Sequence, residues 1–209
     1  ECRSGEVPAI IGRTGCGKSS ILKLIPRLYD ATVGHVYVDD MNVKQYKLNE
    51  LRDLIGYIPQ KNVLFSGDVA SNLRFGDQDS SEEQWGQAAE IAQGGTNLSG
   101  GQRQRMAIAR AVVKKPEIYL FDDSFSALDV KTDKTLRMRL RESMGDSTML
   151  IVAQRVGSIL DADRILVMED GQIVGRGKHR ELLHTCPLYR EIAELQLGEE
   201  EVKHELECV

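Results

Sequence analysis

The sequence predicts an α/β fold in which helices cover a largely parallel sheet. Apolar runs of strand length alternate along the chain with longer stretches of helical periodicity, and a glycine-rich loop lies between the first predicted strand and the first predicted helix. Such alternation is typical of parallel strands that are joined by crossover helices. The predicted strands span residues 7–11, 117–121, 148–152 and 164–168, and the predicted helices span 19–28 and 132–144.

Two segments predict additions to this core. Residues 34–39 alternate between apolar and polar with a period of two, which indicates a half-buried strand in a small antiparallel part. Residues 66–98 are predicted to form an inserted helical segment, because capping residues at 80–83 precede a helical stretch that contains Trp85 and Ile91.

The C-terminal part is predicted to contain a strand over 172–175 and helices over 179–184 and 188–196. Beyond these elements the chain becomes acidic and loses apolar periodicity, so we expect a solvated tail. The predicted organisation is one domain over 1–197, with a helical insert over about 66–115, and an acidic tail over 198–209.

Composition excludes several classes of protein. The 209 residues are 41% hydrophobic and 28% charged, which argues against disorder and low-complexity structure. The longest apolar stretches are far shorter than the roughly 18 residues that span a bilayer. The net charge of -5 argues against a nucleic acid as partner, and the four scattered cysteines predict free thiols in a reducing compartment. Because the chain begins at Glu1 without an initiator methionine or a signal segment, we expect it to be a piece of a longer protein.

Residues 12–19 match the phosphate-loop pattern GxxxxGK[ST] and lie between a predicted strand and a predicted helix. Glycines allow the main chain to curl so that its N–H groups point at phosphate oxygens. Lys18 would neutralise the β- and γ-phosphates, and the hydroxyl of Ser19 would ligate Mg²⁺. An ordinary glycine turn is the alternative, and the strand and helix on either side argue against it. The predicted nucleotide contacts are Gly12, Thr14, Gly15, Cys16, Gly17, Lys18, Ser19 and Ser20.

The predicted partner of this loop is an apolar strand that ends in a carboxylate. Residues 118–121 are such a strand, and Asp122 follows it. Asp122 would bind Mg²⁺ directly or through water. By itself, an aspartate after a strand is as often a turn residue or a helix cap, so this assignment depends on the phosphate loop.

A second motif, LSGGQ at residues 98–102, precedes a helical run over 106–113. A serine and two glycines at the start of a helix form a second anion site. At this motif the sequence resembles the ATP-binding cassette (ABC) family. The resemblance implies an ATPase with a P-loop NTPase (RecA-like) fold and a helical subdomain that carries this signature. It further implies a head-to-tail dimer in which the signature of one chain closes on ATP held by the other. The implied contacts are Ser99, Gly100, Gly101 and Gln102.

Other segments are similar to further motifs of the same family. Residues 57–60 resemble the Q-loop, which implies that Gln60 reaches Mg²⁺ and the attacking water. Residues 126–129 resemble the D-loop, and residues 64–67, 72–76 and 163–171 are similar to the exporter branch. The resemblance therefore implies a domain at the cytoplasmic face of a membrane, with a second nucleotide-binding domain and transmembrane domains as partners. The alternative is a soluble ATP-gated clamp or regulator that dimerises without transporting a solute.

The sequence departs from the family pattern in the part that activates water. Asp123 replaces the usual catalytic glutamate and is one methylene shorter, and Gln154 replaces the switch histidine and cannot take up a proton. We therefore expect this chain to bind ATP tightly, to hydrolyse it slowly at its own site, and to pair with a different chain. A homodimer that still turns over is the alternative. Only 37 residues separate Gln60 from Leu98, so we expect either that the helical insert is truncated near Gln93 or that its flexible part is omitted from this sequence.

Overall fold

A six-stranded sheet forms the centre of the computed structural model, which describes residues 1–65, 69–76 and 99–207. Its strands are β1 (Pro8–Gly12), β4 (Ile55–Ile58), β5 (Ile118–Asp122), β6 (Thr148–Val152), β7 (Arg164–Glu169) and β8 (Gln172–Gly177). They lie in the order β4-β5-β6-β1-β7-β8, and all neighbouring pairs are parallel except β7 and β8. The predicted α/β class is confirmed.

Helices cover both faces of this sheet. They are α1 (Lys18–Leu24), α2 (Leu48–Asp53), α3 (Val69–Arg74), α4 (Gly100–Val113), α5 (Val130–Met144), α6 (His179–Thr185), α7 (Pro187–Leu197) and α8 (Glu199–Glu207). Because successive strand side chains point to opposite faces, Ala9 and Ile11 belong to the core beneath α4, α5 and α7, whereas Ile10 packs with Leu22 of α1 and Leu51 of α2. The centre of the sheet is therefore buried on both faces, whereas most residues of the edge strand β8 are exposed.

A second sheet has two short antiparallel strands, β2 (Tyr37–Val38) and β3 (Met41–Asn42). Asp39 and Asp40 join them with φ values of 46° and 60°, the left-handed conformation that a two-residue hairpin requires. The predicted antiparallel part is present, and its first strand is shorter than the 34–39 expected.

The sequence analysis did not predict strand β4 or helix α2. The strand β4 has only four residues, and the preceding helix α2 has six, so each is too short for its periodicity to be recognised in the sequence. Within the predicted helical insert, α3 and α4 are present. Trp85, Ile91 and the expected truncation near Gln93 lie outside the described residues.

Residues 199–207, which were expected to belong to a solvated tail without periodic structure, form helix α8, and most of them are exposed. Val202 is only 1% exposed, and Leu206, four residues later on the same face, also packs against the core. The carboxylate of Glu205 lies 2.6 Å from Nε2 of His179. Two apolar residues one turn apart therefore hold an otherwise acidic helix against the domain.

Candidate nucleotide-binding site

The glycine-rich loop connects the end of β1 to the start of α1. Gly15 and Gly17 have φ values of 85° and 99°, a left-handed region that is strained for residues with a side chain. The loop consequently turns sharply before Lys18, the first residue of α1. The main chain of the loop thus lies along the rim of a cleft at the carboxyl edge of the parallel sheet.

Lys18 is held inside this loop. Its side chain is almost fully buried, and its ammonium donates to the main-chain oxygens of Gly12 at 2.7 Å and Arg13 at 2.8 Å. An ammonium carries three donors and no acceptor. Two of them are used by these main-chain oxygens, and the nitrogen also donates to Sγ of Cys16 in the same loop at 3.6 Å. The loop therefore holds a positive charge in place before any ligand arrives.

Asp122 ends β5 and lies beneath the loop, where its carboxylate is 3% exposed. The hydroxyl of Ser19 donates to Oδ1 at 2.6 Å, and the hydroxyl of Tyr57 donates to Oδ2 at 3.0 Å. Burial is the main cause that raises the pKa of Tyr57 well above its usual value, and the nearby charge of Asp122 raises it further. The phenol therefore remains a donor. The structure thus brings together Ser19 and Asp122, two of the three residues predicted to bind Mg²⁺, and adds a tyrosine that the sequence analysis did not single out.

Asp123 occupies a tight turn after β5, with a φ of 50° and 7% exposure. The amide of Gln60 donates to its Oδ2 at 3.0 Å. Burial raises the pKa of the Asp123 carboxyl above its usual value, and hydrogen bonds from Gln60 and Ser126 lower it in part. A carboxylate that is costly to ionise is well suited to accept a proton near neutral pH.

Gln154 follows β6 and faces the same cleft. Its main-chain oxygen accepts a hydrogen bond from the side chain of Gln196 in α7 at 2.8 Å, and the same side chain accepts from the N–H of Val156 at 2.8 Å. These two hydrogen bonds of Gln196 hold the main chain around Gln154 in place. Only the packing of α7 reveals this contact, because 42 positions separate the two glutamines.

The cleft has a volume of about 240 Å³ and gathers most of the predicted site residues. Its lining consists of Thr14, Gly15, Gly17, Lys18, Ser19, Ser20, Gln60, Asp123, Val152 and Gln154. A buried ammonium, a hydroxyl beside a buried carboxylate and a glycine-curled loop are the groups that bind a phosphate chain with its Mg²⁺. The residues present therefore fit a magnesium–nucleotide complex.

The signature segment, residues 99–102, begins helix α4 and lies apart from this cleft. The N–H of Gln102 donates to Oγ of Ser99, and the side chain of Gln102 accepts from the N–H of Ser99 at 2.7 Å, so the two residues form a capping box. Among the described residues, the lining of the cleft includes none of these four signature positions. Leu98 lies outside the described residues.

A second cavity, of about 420 Å³, lies between β4, the segment after Gln60, and α4. The rings of Phe65 and Phe75 stack at 4.1 Å beside it, and both are partly exposed, as is Val63. The guanidinium of Arg110 lies 5.0 Å from the centre of the Phe65 ring, and the buried amide of Asn72 bonds both main-chain polar groups of Phe65 at 2.9 Å. This cavity therefore has a fixed aromatic rim.

None of the helices in the described ranges combines the length and the apolar character that crossing a bilayer requires.

Comparisons with known proteins agree on one family. The family model described as ABC transporter matches residues 1–126. An uncharacterized ABC transporter ATP-binding protein of Mycobacterium tuberculosis is 47% identical over 93% of this chain, and an ATP-dependent lipid A-core flippase of Xanthomonas oryzae is 39% identical over 93%. The chain spans 37% and 36% of these two relatives. A solved bacterial Atm1-family ABC exporter with ATP bound matches with a TM-score of 0.88 and 34% identity, covering 93% of this chain and 38% of that one.

Proposed function

Because the chain belongs to the ABC transporter family and is homologous to the ATP-binding domains of exporters, we propose that it binds MgATP in the cleft at the phosphate loop and powers export by a longer protein. The observation that carries this proposal is the 2.6 Å hydrogen bond between Ser19 and Asp122 beside the buried ammonium of Lys18. These groups come from distant parts of the chain and meet at the edge of one sheet, where a phosphate chain and its cation need them.

Each residue has a distinct role in this proposal. Lys18 and the main chain of the loop hold the phosphates, whereas Ser19 and Asp122, with Gln60 nearby, hold Mg²⁺. The bound cation supplies charge neutralisation for the terminal phosphate. Asp123 accepts the proton of the attacking water, and its raised pKa brings the carboxyl closer to the range in which a general base works best.

The signature segment serves a second nucleotide-binding domain. In one chain it lies apart from the cleft, and its capping box fixes the start of α4 with Ser99 exposed. A head-to-tail dimer would use this surface by placing residues 99–102 of each chain over the nucleotide of the other.

Slow hydrolysis at this chain's own cleft follows from two features. The short side chain of Asp123 is already engaged by the amide of Gln60 at 3.0 Å, and reaching a water from there requires a shift that can cost on the order of a hundredfold in rate. Gln154 can donate a hydrogen bond but cannot take up a proton. We infer that the natural dimer contains a different chain whose own cleft hydrolyses ATP with the aid of this chain's signature.

The aromatic cavity is the proposed docking surface for a transmembrane domain. It adjoins Gln60 through the segment that ends at Phe65, so movement at the cleft would reach it directly. Its rim of stacked rings and Arg110 suits a short helix with both apolar and acidic side chains. Docking of this kind supports a position of the domain at the cytoplasmic face of a membrane.

The experiment is an ATPase measurement on the transporter assembled from this chain and its natural partner. Asp123→Asn in this chain should leave most of the turnover intact, because the partner's cleft performs the hydrolysis. Asp123→Glu combined with Gln154→His should raise turnover, because it restores both water-activating groups. Loss of all turnover in Asp123→Asn would show that this cleft is the hydrolytic one. It would overturn the proposal that the partner's cleft hydrolyses the ATP.

A further inference from the structure

Tyr57 approaches the magnesium-binding carboxylate from the neighbouring strand. In the parallel pairing of β4 with β5, Tyr57 lies opposite Leu120. Asp122 is two residues beyond Leu120 and points to the same face of the sheet. The phenol ring extends along that face, and its hydroxyl reaches Oδ2 of Asp122 at 3.0 Å. The register of two strands, rather than proximity in sequence, creates this contact.

The two oxygens of Asp122 have different partners. Ser19 donates to Oδ1 and Tyr57 donates to Oδ2, and the carboxylate between them is 3% exposed. An ionised carboxylate only accepts hydrogen bonds, so both hydroxyls must donate. The terminal torsion of an aspartate is broad, so one hydrogen bond alone leaves the carboxylate plane poorly defined. Two donors on opposite oxygens define it.

We propose that Tyr57 is a positioning residue that orients Asp122 for Mg²⁺, an inference that rests on the proposed nucleotide-binding function. Tyr57 itself touches neither the cation nor the nucleotide in this account. Its hydroxyl donates a hydrogen bond to Oδ2, the oxygen that does not contact Ser19. This bond keeps Oδ1 directed at the serine. Removing a residue that hydrogen-bonds a metal ligand without contacting the metal commonly lowers metal affinity 10- to 100-fold.

Tyr57→Phe isolates this role, because it keeps the ring that packs beside the core and removes only the hydroxyl. Tyr46→Phe is the matched control. The hydroxyl of Tyr46 also makes one hydrogen bond at 3.0 Å, but its acceptor is the main-chain oxygen of Val38 in the small antiparallel sheet. Asp122→Asn reports on the proposed magnesium site itself.

The test measures equilibrium binding of a fluorescent ATP analogue to the full chain, first in EDTA and then over a Mg²⁺ titration. For Tyr57→Phe we expect an unchanged affinity in EDTA and a half-saturating Mg²⁺ concentration raised about 10-fold. Tyr46→Phe should match the wild type in both conditions. Thermal melting of each variant verifies that the domain is folded.

Three results would overturn parts of this account. If Tyr57→Phe titrates like the wild type while Asp122→Asn loses its response to Mg²⁺, the positioning role of Tyr57 is wrong and the proposed site stands. If Asp122→Asn keeps the wild-type response, Asp122 does not hold Mg²⁺ and the proposed function of the site is wrong. Equal weakening of Tyr57→Phe in EDTA and in Mg²⁺ would indicate a purely structural role and would also refute the proposal.

Discussion

Gly12→Ala tests whether close packing between strands defines the phosphate loop. Gly12 is the last residue of β1 and pairs with Met168 of β7. A β-carbon at this position would lie 2.1 Å from the main-chain oxygen of Met168 and 2.9 Å from Sγ of Cys16. The sulfur belongs to a side chain, but the carbonyl is part of a parallel ladder and cannot move alone. We therefore expect β1 and β7 to separate at their carboxyl ends.

The expected loss of stability in Gly12→Ala follows from this overlap. Ordinary contact distance for a carbon and an oxygen exceeds 3 Å, so the strands must shift by about 1 Å, and overpacking of this kind costs about 3 kcal/mol of unfolding free energy. For a domain of this size, that cost lowers the melting temperature by roughly 6–12 °C. The shift also displaces the oxygen of Gly12 that holds Lys18. Weaker binding of MgATP should accompany the lower melting temperature.

The assay is thermal melting by circular dichroism together with equilibrium nucleotide binding. Gly157→Ala is the matched control, because a β-carbon there meets nothing within 4 Å and the residue has no left-handed φ. This control should melt within about 2 °C of the wild type. A Gly12→Ala variant that melts and binds like Gly157→Ala would refute the packing argument.

Two further predictions concern Asp123 and Gln154, which line the cleft. Asp123→Asn should raise the melting temperature at neutral pH, because burial raises the folded-state pKa of Asp123 and ionisation above that pKa opposes folding. The gain should shrink as the pH falls through the raised pKa, and a gain that persists in acid would contradict this cause. Gln196→Ala should free the loop that carries Gln154, since both of its 2.8 Å hydrogen bonds disappear. The slow turnover of this chain measured alone, which reports on its own cleft, should fall while ATP affinity stays unchanged, and an equal loss of affinity would contradict a role confined to this loop.

Local pattern was sufficient to predict the main strands and the phosphate loop. Each of these strands has five or six residues, most of them apolar, and the loop residues are contiguous in sequence. The strand β4 was missed because it has only four residues, and its place in the sheet is set by pairing with β5.

Contacts across the sheet could not be predicted in the same way. The hydrogen bond from Tyr57 to Asp122 joins residues 65 positions apart and depends on strand register. The hydrogen bond from the side chain of Gln196 to the main chain of Gln154 depends on how α7 packs over the sheet. Helix α8 was missed because its acidic composition concealed the single face on which Val202 is buried. In each case tertiary packing, rather than local preference, determines the outcome.

The most direct test of the central claim is steady-state ATPase activity of this chain measured beside equilibrium MgATP binding in the same sample. Lys18→Ala, which removes the buried ammonium, is the control for binding at the phosphate loop. We predict clear binding by the wild type, loss of binding in the control, and turnover far below about 1 per second, the lower end of typical enzyme rates. Turnover at or above that rate would contradict slow hydrolysis, and absence of binding would contradict the assignment of the cleft to MgATP.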